Sequence, residues 1–138
     1  MKYNRRKARE LAVQALYQWE HNVGDSINVR EQFVSRANPK KVDLNYFNES
    51  FNNTVKHLED IDKIIQNNSS IDLKEINPVE LAILRLASYE LKFNLEIPSP
   101  IIINEALDIT KKFGAEEGFR FVNGVLDNMA KNLRPNGI

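Results

Sequence analysis

The chain has no cysteine in its 138 residues. That absence excludes a disulfide framework, a thiol nucleophile and a thiolate metal site, and it fits a reducing compartment. Only two histidines occur, His21 and His57. Neither has a second histidine at ligand spacing, so no metal set and no metalloprotease helix motif is present; each reads as a solvated or helix-end residue. Glycine is scarce, at five residues. Gly114, Gly118 and Gly124 fall in or beside a helical pattern and not after a strand, which argues against a phosphate-cradling loop. No serine sits in a nucleophile elbow. No apolar run reaches ~18 residues, and the N-terminus lacks the apolar stretch of a secretory signal. The expectation is a soluble, cytoplasmic protein with no membrane contact. The neighbouring acids Asp60/Asp62 and Glu116/Glu117 read as solvated helix surface. The sequence therefore supports no enzyme: no catalytic residue, no metal ligand and no cofactor.

What is present is helical periodicity, in a chain that is 42% apolar and of one-domain length, so residues 1–138 are expected to form a single domain. Asn4 to His21 reads as a first helix, with Ala8, Ala12, Ala15 and Trp19 in one stripe flanked by Leu11 and Leu16. Asn28 with Glu31 forms a candidate capping box for a short helix to about Ala37. Leu44, Phe47, Phe51, Thr54, Leu58, Ile61 and Ile65 recur at alternating steps of three and four, which predicts one long helix. Asn77-Pro78-Val79-Glu80 combines an Asn cap, proline at the first helical position and Glu three after the cap. The helix it opens, to about Phe93, is apolar on nearly every side and belongs in the middle of the molecule. Ser99-Pro100 starts the next helix and Gly114 stops it. The last runs from about Ala115 to Leu133 on a stripe of Phe119, Val122, Leu126, Met129 and Leu133. The reading is all-α, with six or seven helices and no sheet.

The polar residues then pose three questions. Lys2, Arg5, Arg6, Lys7 and Arg9 precede the first acid, Glu10, so nine residues carry +5 and the remaining 129 carry −5. Cations are disfavoured at a helix N-terminus, so the cluster is either a solvated tail or a site for an anion. Nucleic-acid phosphate suits arginine forks best. Second, at 3.6 residues per turn Tyr17 lies about 170° from the centre of the apolar stripe, sharing its side with Arg6, Glu10 and Val13. Such a tyrosine is surface, a partner anchor or covered by another layer of the domain. Third, in "KKFGAEEGFRF" Phe121 stands about 100° off its own stripe, near Lys111, Lys112, Phe113 and Arg120. Aromatics among cations suit unstacked RNA bases; local packing is the alternative. The periodicity does not show whether the two basic regions meet.

Three segments resemble the NusB family of transcription antitermination factors: "RRKARELAVQALYQW" (5–19), "VELAILRLASYEL" (79–91) and "INEALDITKKFGAEEGFRFVNGVLD" (103–127). They span 53 of the 138 residues. The resemblance implies an all-helical protein of two packed bundles, without catalytic activity. It implies binding of the boxA element of nascent RNA, notably from ribosomal RNA operons, together with the small-subunit ribosomal protein NusE, in an antitermination complex with RNA polymerase. By residue, it implies RNA contacts at Arg5, Arg6, Lys7 and Arg9, and at Glu117 and Phe121 in the third segment, where Lys111, Lys112, Phe113 and Arg120 join them. Tyr17 and Glu80, with Val13 and Glu10 beside them, fall at the NusE contact. Glu80 then has two candidate roles, capping its own helix or reaching the partner. Family members occur as monomers and as homodimers. Gly118 stands where many relatives have serine, and Lys7 where they have arginine. An alternative is the NusB-like N-terminal module of a ribosomal RNA cytosine methyltransferase, which expects a Gly-rich cofactor segment and a cysteine nucleophile after "RPNGI".

Overall fold

The computed structural model describes the backbone of residues 2–21, 25–114 and 116–137, and all of their side chains but those of 2, 3 and 116. Among the described residues the regular structure is seven α-helices and one short 3-10 turn: α1 (Lys2–His21), α2 (Ser26–Arg36), α3 (Leu44–Lys56), α4 (Leu58–Asn68), the turn Leu73–Glu75, α5 (Pro78–Phe93), α6 (Ser99–Phe113) and α7 (Glu116–Leu133). No strand occurs among the described residues. Helices α1, α2 and α3 pack on one another as one bundle, and α4 to α7 form a second; α5 touches α1, α3, α4, α6 and α7 and joins the two.

The central place of α5 follows from its composition. Every residue from Glu80 to Leu91 is buried, as a helix without a polar face requires. Asn77 opens it as expected, its Oδ1 accepting from the Val79 N–H at 2.9 Å and the Glu80 N–H at 3.3 Å. The Glu80 carboxylate takes no part in this cap. At the other end Arg134 is 8% exposed and donates to the carbonyls of Leu91, Asn94 and Ile97 at 3.0, 3.0 and 2.5 Å. It also reaches the Glu90 carbonyl at 3.2 Å. The Glu90 and Asn94 carbonyls also accept backbone N–H groups, whereas the guanidinium satisfies the Leu91 carbonyl that the end of α5 would leave orphaned. Phe93, the last residue of this apolar helix, lies at the rim and is 39% exposed, stacked on His57 at 4.4 Å.

Several expectations are corrected. The long helix of residues 44–65 is two helices, broken at His57 (φ −104°, ψ 22°). The apolar stripe crosses the break in phase, with Phe47, Phe51, Thr54, Ile61 and Ile65 all buried. A repeat of three and four reports a shared face and not a continuous axis. The break lets α3 stay against α1 while α4 turns onto α5 and α7. Helix α2 is capped by Asp25, whose Oδ1 accepts from the Ile27 N–H at 3.1 Å, and not by Asn28 with Glu31, which are both exposed. Asp62 is no solvated acid: it grips Arg85 with two hydrogen bonds, at 2.9 and 3.0 Å. Asp60 is exposed as expected, while the side chain of Glu116 lies outside the described residues. Gly114 does end α6, though in an extended conformation (φ −98°, ψ 176°). Its role is close approach, since a Cβ there would meet the Thr110 carbonyl oxygen at 2.9 Å. Among the described residues no helix is long and apolar enough to cross a membrane.

Candidate functional site

The first turns of α1 lie against α3, α5 and the side chains of α6, and this setting answers the question of the misplaced charge. Arg9 is 3% exposed. Its Nε and Nη2 meet Glu90 Oε2 at 3.0 and 2.9 Å, and its Nη1 meets Glu105 Oε1 at 3.1 Å. Tyr46 stands beside them, its hydroxyl donating to Glu90 Oε2 and its ring within 5.3 Å of the Arg9 guanidinium. Burial works against the Arg9 charge, but Glu90 outweighs it and the guanidinium pKa is raised. Burial, reinforced by Glu90, pushes the Tyr46 hydroxyl well above its ordinary pKa, so it remains a neutral donor. Arg9 is therefore a structural cation, and the expectation that it meets phosphate is corrected.

Lys2 has its side chain outside the described residues; Arg5, Arg6 and Lys7 lie toward the surface, each against another side chain. Arg5 also lies over the Tyr46 ring, 4.3 Å from its centroid. Arg6 Nε and Nη2 meet Glu105 Oε2 at 3.0 and 2.5 Å, and Nη2 meets Asp108 Oδ2 at 2.9 Å. The hydrogen bond to Glu105 is the main cause of a raised Arg6 pKa. Lys7 approaches Glu10 at 3.7 Å, and Glu10 also accepts from Lys112 Nζ at 3.0 Å. These pairs join the start of α1 to the outer face of α6, so the two basic regions, far apart in the sequence, form one continuous face. Lys112 lies 5.5 Å from the ring of Phe113 and Lys111 lies 5.2 Å from that of Phe119. Phe113, Glu117 and Arg120 are exposed, whereas Phe121 is half-buried against the core. A cleft of about 660 Å³ opens between Arg5, Arg6 and the segment Glu96–Ile101.

A second cleft, of about 530 Å³, lies further along α1, between Tyr17, His21, Phe33, Val79 and Phe113. Tyr17 is 41% exposed and packs on the His21 ring at 4.4 Å. Val13 forms the floor of the cleft and is 3% exposed. The reading that set it on the polar side is corrected: α1 is covered on several faces, by α2, α3 and α5. Glu80 is buried, and its carboxylate occupies the space that a side chain at Gly118 would fill. Burial raises its pKa above the ordinary range. The lack of a side chain at Gly118 thus makes room for Glu80.

Sequence reasoning missed Tyr46, Glu90, Glu105 and Asp108. One signal was available for the last two: acids three apart on a helix, one turn before a Lys-Lys pair, lie on the same face. Tyr46 carried a weaker one, an aromatic one position off a strong apolar stripe. Among the described residues no three His, Asp or Glu side chains gather to hold a metal.

The NusB family model matches residues 6–131. The chain is similar to the transcription antitermination protein NusB of Idiomarina loihiensis, at 42% identity over 95% of this chain and 94% of that protein. It is similar to its namesake in Edwardsiella ictaluri at 44% identity, over 96% of this chain and 95% of that protein. These relatives are named as antitermination proteins and not as enzymes. Among solved structures the fold is similar to T. maritima NusB, with a TM-score of 0.85 at 31% identity, covering 99% of this chain and 96% of that one. It is also similar to a chain in a complex of antitermination factors NusB and NusE with double-stranded RNA, with a TM-score of 0.84 at 30% identity, covering 96% of this chain and 98% of that one.

Proposed function

The chain belongs to the NusB family, and from that premise we propose that it is an antitermination adaptor that holds boxA RNA and NusE at once, on ribosomal RNA transcripts, and helps RNA polymerase resist termination in the cytoplasm. The observation that carries the reading is the continuous face of α1 and α6, where Arg5, Arg6, Lys7, Lys111 and Lys112 come together from the two ends of the chain. Arginine forks match phosphate geometry. Phe113, beside Lys112 and 37% exposed, stands where the RNA face meets the second cleft and offers its outer side to an unpaired base, with Arg120 and Glu117 at the margin and the edge of Phe121 within reach. Arg9 acts as a positioning residue, holding α1 in place through Glu90. NusE takes the second cleft, with Tyr17 as anchor, Val13 as floor, Glu80 buried next to the lining residue Val79, and Glu10 between the two surfaces. One copy carries both surfaces, so a monomer suffices for the adaptor.

The RNA role is tested by the salt dependence of binding. With Arg9 withdrawn, the five cations of this face give a log–log slope of about −3.5 on single strands, at about −0.7 per phosphate contact. Arg5→Ala/Arg6→Ala flattens that slope by about 1.4. A slope near zero, or one unchanged by the double substitution, contradicts the proposal.

A further inference from the structure

The partners of Arg6 invite a further question, because a cation meant for RNA phosphate is already engaged. Arg6 is held by two carboxylates from α6, Glu105 at 2.5 Å and Asp108 at 2.9 Å. Carboxylate oxygens meet a guanidinium fork as phosphate oxygens do, so this acidic pair occupies the same donors an RNA backbone requires. The two acids differ in attachment. Glu105 is 14% exposed and also binds the buried Arg9, which fixes it in the core network. Asp108 is 44% exposed, and among the described residues it pairs with Arg6. The cleft of about 660 Å³ opens directly beside the fork, and Arg6 Nη1 makes no hydrogen bond among the described residues.

We propose that Asp108 is an internal competitor for Arg6, a stand-in for phosphate that weakens RNA binding and sharpens its selectivity. The inference rests on the RNA-binding reading above. An arriving phosphate first takes the vacant Nη1 side and then displaces Asp108, while Glu105 stays in place and keeps the fork oriented. A lone anion gains little by that exchange, because it trades one charge-assisted contact for another. A strand that also meets Arg5 and Lys7 retains the gain from its neighbouring phosphates. Asp108 thereby makes the face respond to a polyanion and not to single anions.

The test is an anisotropy titration of the full chain with a single-stranded boxA RNA oligonucleotide, for the unmodified protein, Asp108→Asn, Arg6→Ala and the double variant. Circular dichroism of each confirms folding. Asp108→Asn removes the competing charge from an exposed position without changing shape. It is expected to tighten binding about two- to fivefold, the range of an exposed ion pair, and the gain is expected to vanish in the Arg6→Ala background. Binding that does not tighten overturns the proposal. So does an equal gain with and without Arg6, which is the mark of a general field from one fewer negative charge. If Arg5→Ala/Arg6→Ala leaves RNA affinity unchanged, the RNA-binding reading itself falls, and this inference with it.

Discussion

Replacing Arg9 by alanine tests whether the basic cluster is built into the core. The substitution strips Glu90, which is 2% exposed, of its cationic partner and leaves Tyr46 and Glu105 facing the gap. Removing one member of a buried ion pair costs about 3–5 kcal/mol, because the remaining charge is stranded in a poorly solvated place. Against a total stability of about 5–15 kcal/mol, that is a large fraction. With a urea dependence of about 2 kcal/mol per molar, the unfolding midpoint falls by roughly 2 M. The assay is urea denaturation followed by far-ultraviolet circular dichroism. Arg5→Ala, which gives up an exposed contact with the same Tyr46 ring, is expected to cost about 0.5–1 kcal/mol. The two residues are also expected to be coupled: Arg9→Ala/Glu90→Gln recovers about 1–3 kcal/mol relative to the sum of the single substitutions. A loss below about 1 kcal/mol for Arg9→Ala, the value of a surface pair, or strict additivity with Glu90→Gln, refutes the account of Arg9 as a structural cation.

Three more expectations follow from the same geometry. Arg134→Ala takes the donor from the Leu91 and Ile97 carbonyls and destabilises the protein by about 2–3 kcal/mol; Arg134→Lys recovers only part of this, because an ammonium cannot span the acceptors as a fork does, and full recovery in the melting temperature contradicts that account. Burial raises the Glu80 pKa, so the stability this group contributes is complete below the ordinary carboxylate range and is lost as pH rises through the raised value. Glu80→Gln accordingly raises the melting temperature at neutral pH but not in mild acid, and an equal effect at both places the cause elsewhere. Tyr17→Asp, at a position 41% exposed, leaves helicity intact and weakens NusE binding at least about 30-fold, as loss of an interface anchor does; unchanged affinity removes Tyr17 from the partner surface.

The helices were legible because their signals are local. The Asn77-Pro78 start, the stop at Gly114 and the all-round apolarity of α5 each depend on a few adjacent residues. What escaped depends on which helices meet. Val13 stands opposite the alanine stripe, and only the packing of α1 within the bundle shows that this side is covered as well. The stripe from Leu44 to Ile65 runs through the break at His57 without losing phase, so the change of axis leaves no trace in the pattern. The charge cluster is the clearest case. Five cations without a nearby acid pointed to an external anion, yet Glu90, Glu105 and Asp108 supply carboxylates from helices some ninety residues further along. The cluster therefore has an internal explanation for Arg9 and a shared one for Arg6. The meeting of α1 with the Lys111–Phe113 end of α6 and the family membership point to RNA; the charge count alone does not.

The central claim is that one chain holds RNA and a protein partner together. Its most direct test is a titration of boxA RNA into the full chain with and without saturating NusE. The account predicts that NusE tightens RNA binding by about 5- to 150-fold, a coupling of about 1–3 kcal/mol, with RNA tightening NusE binding by the same factor. RNA affinity that is indifferent to NusE, or absent in both arms, contradicts it.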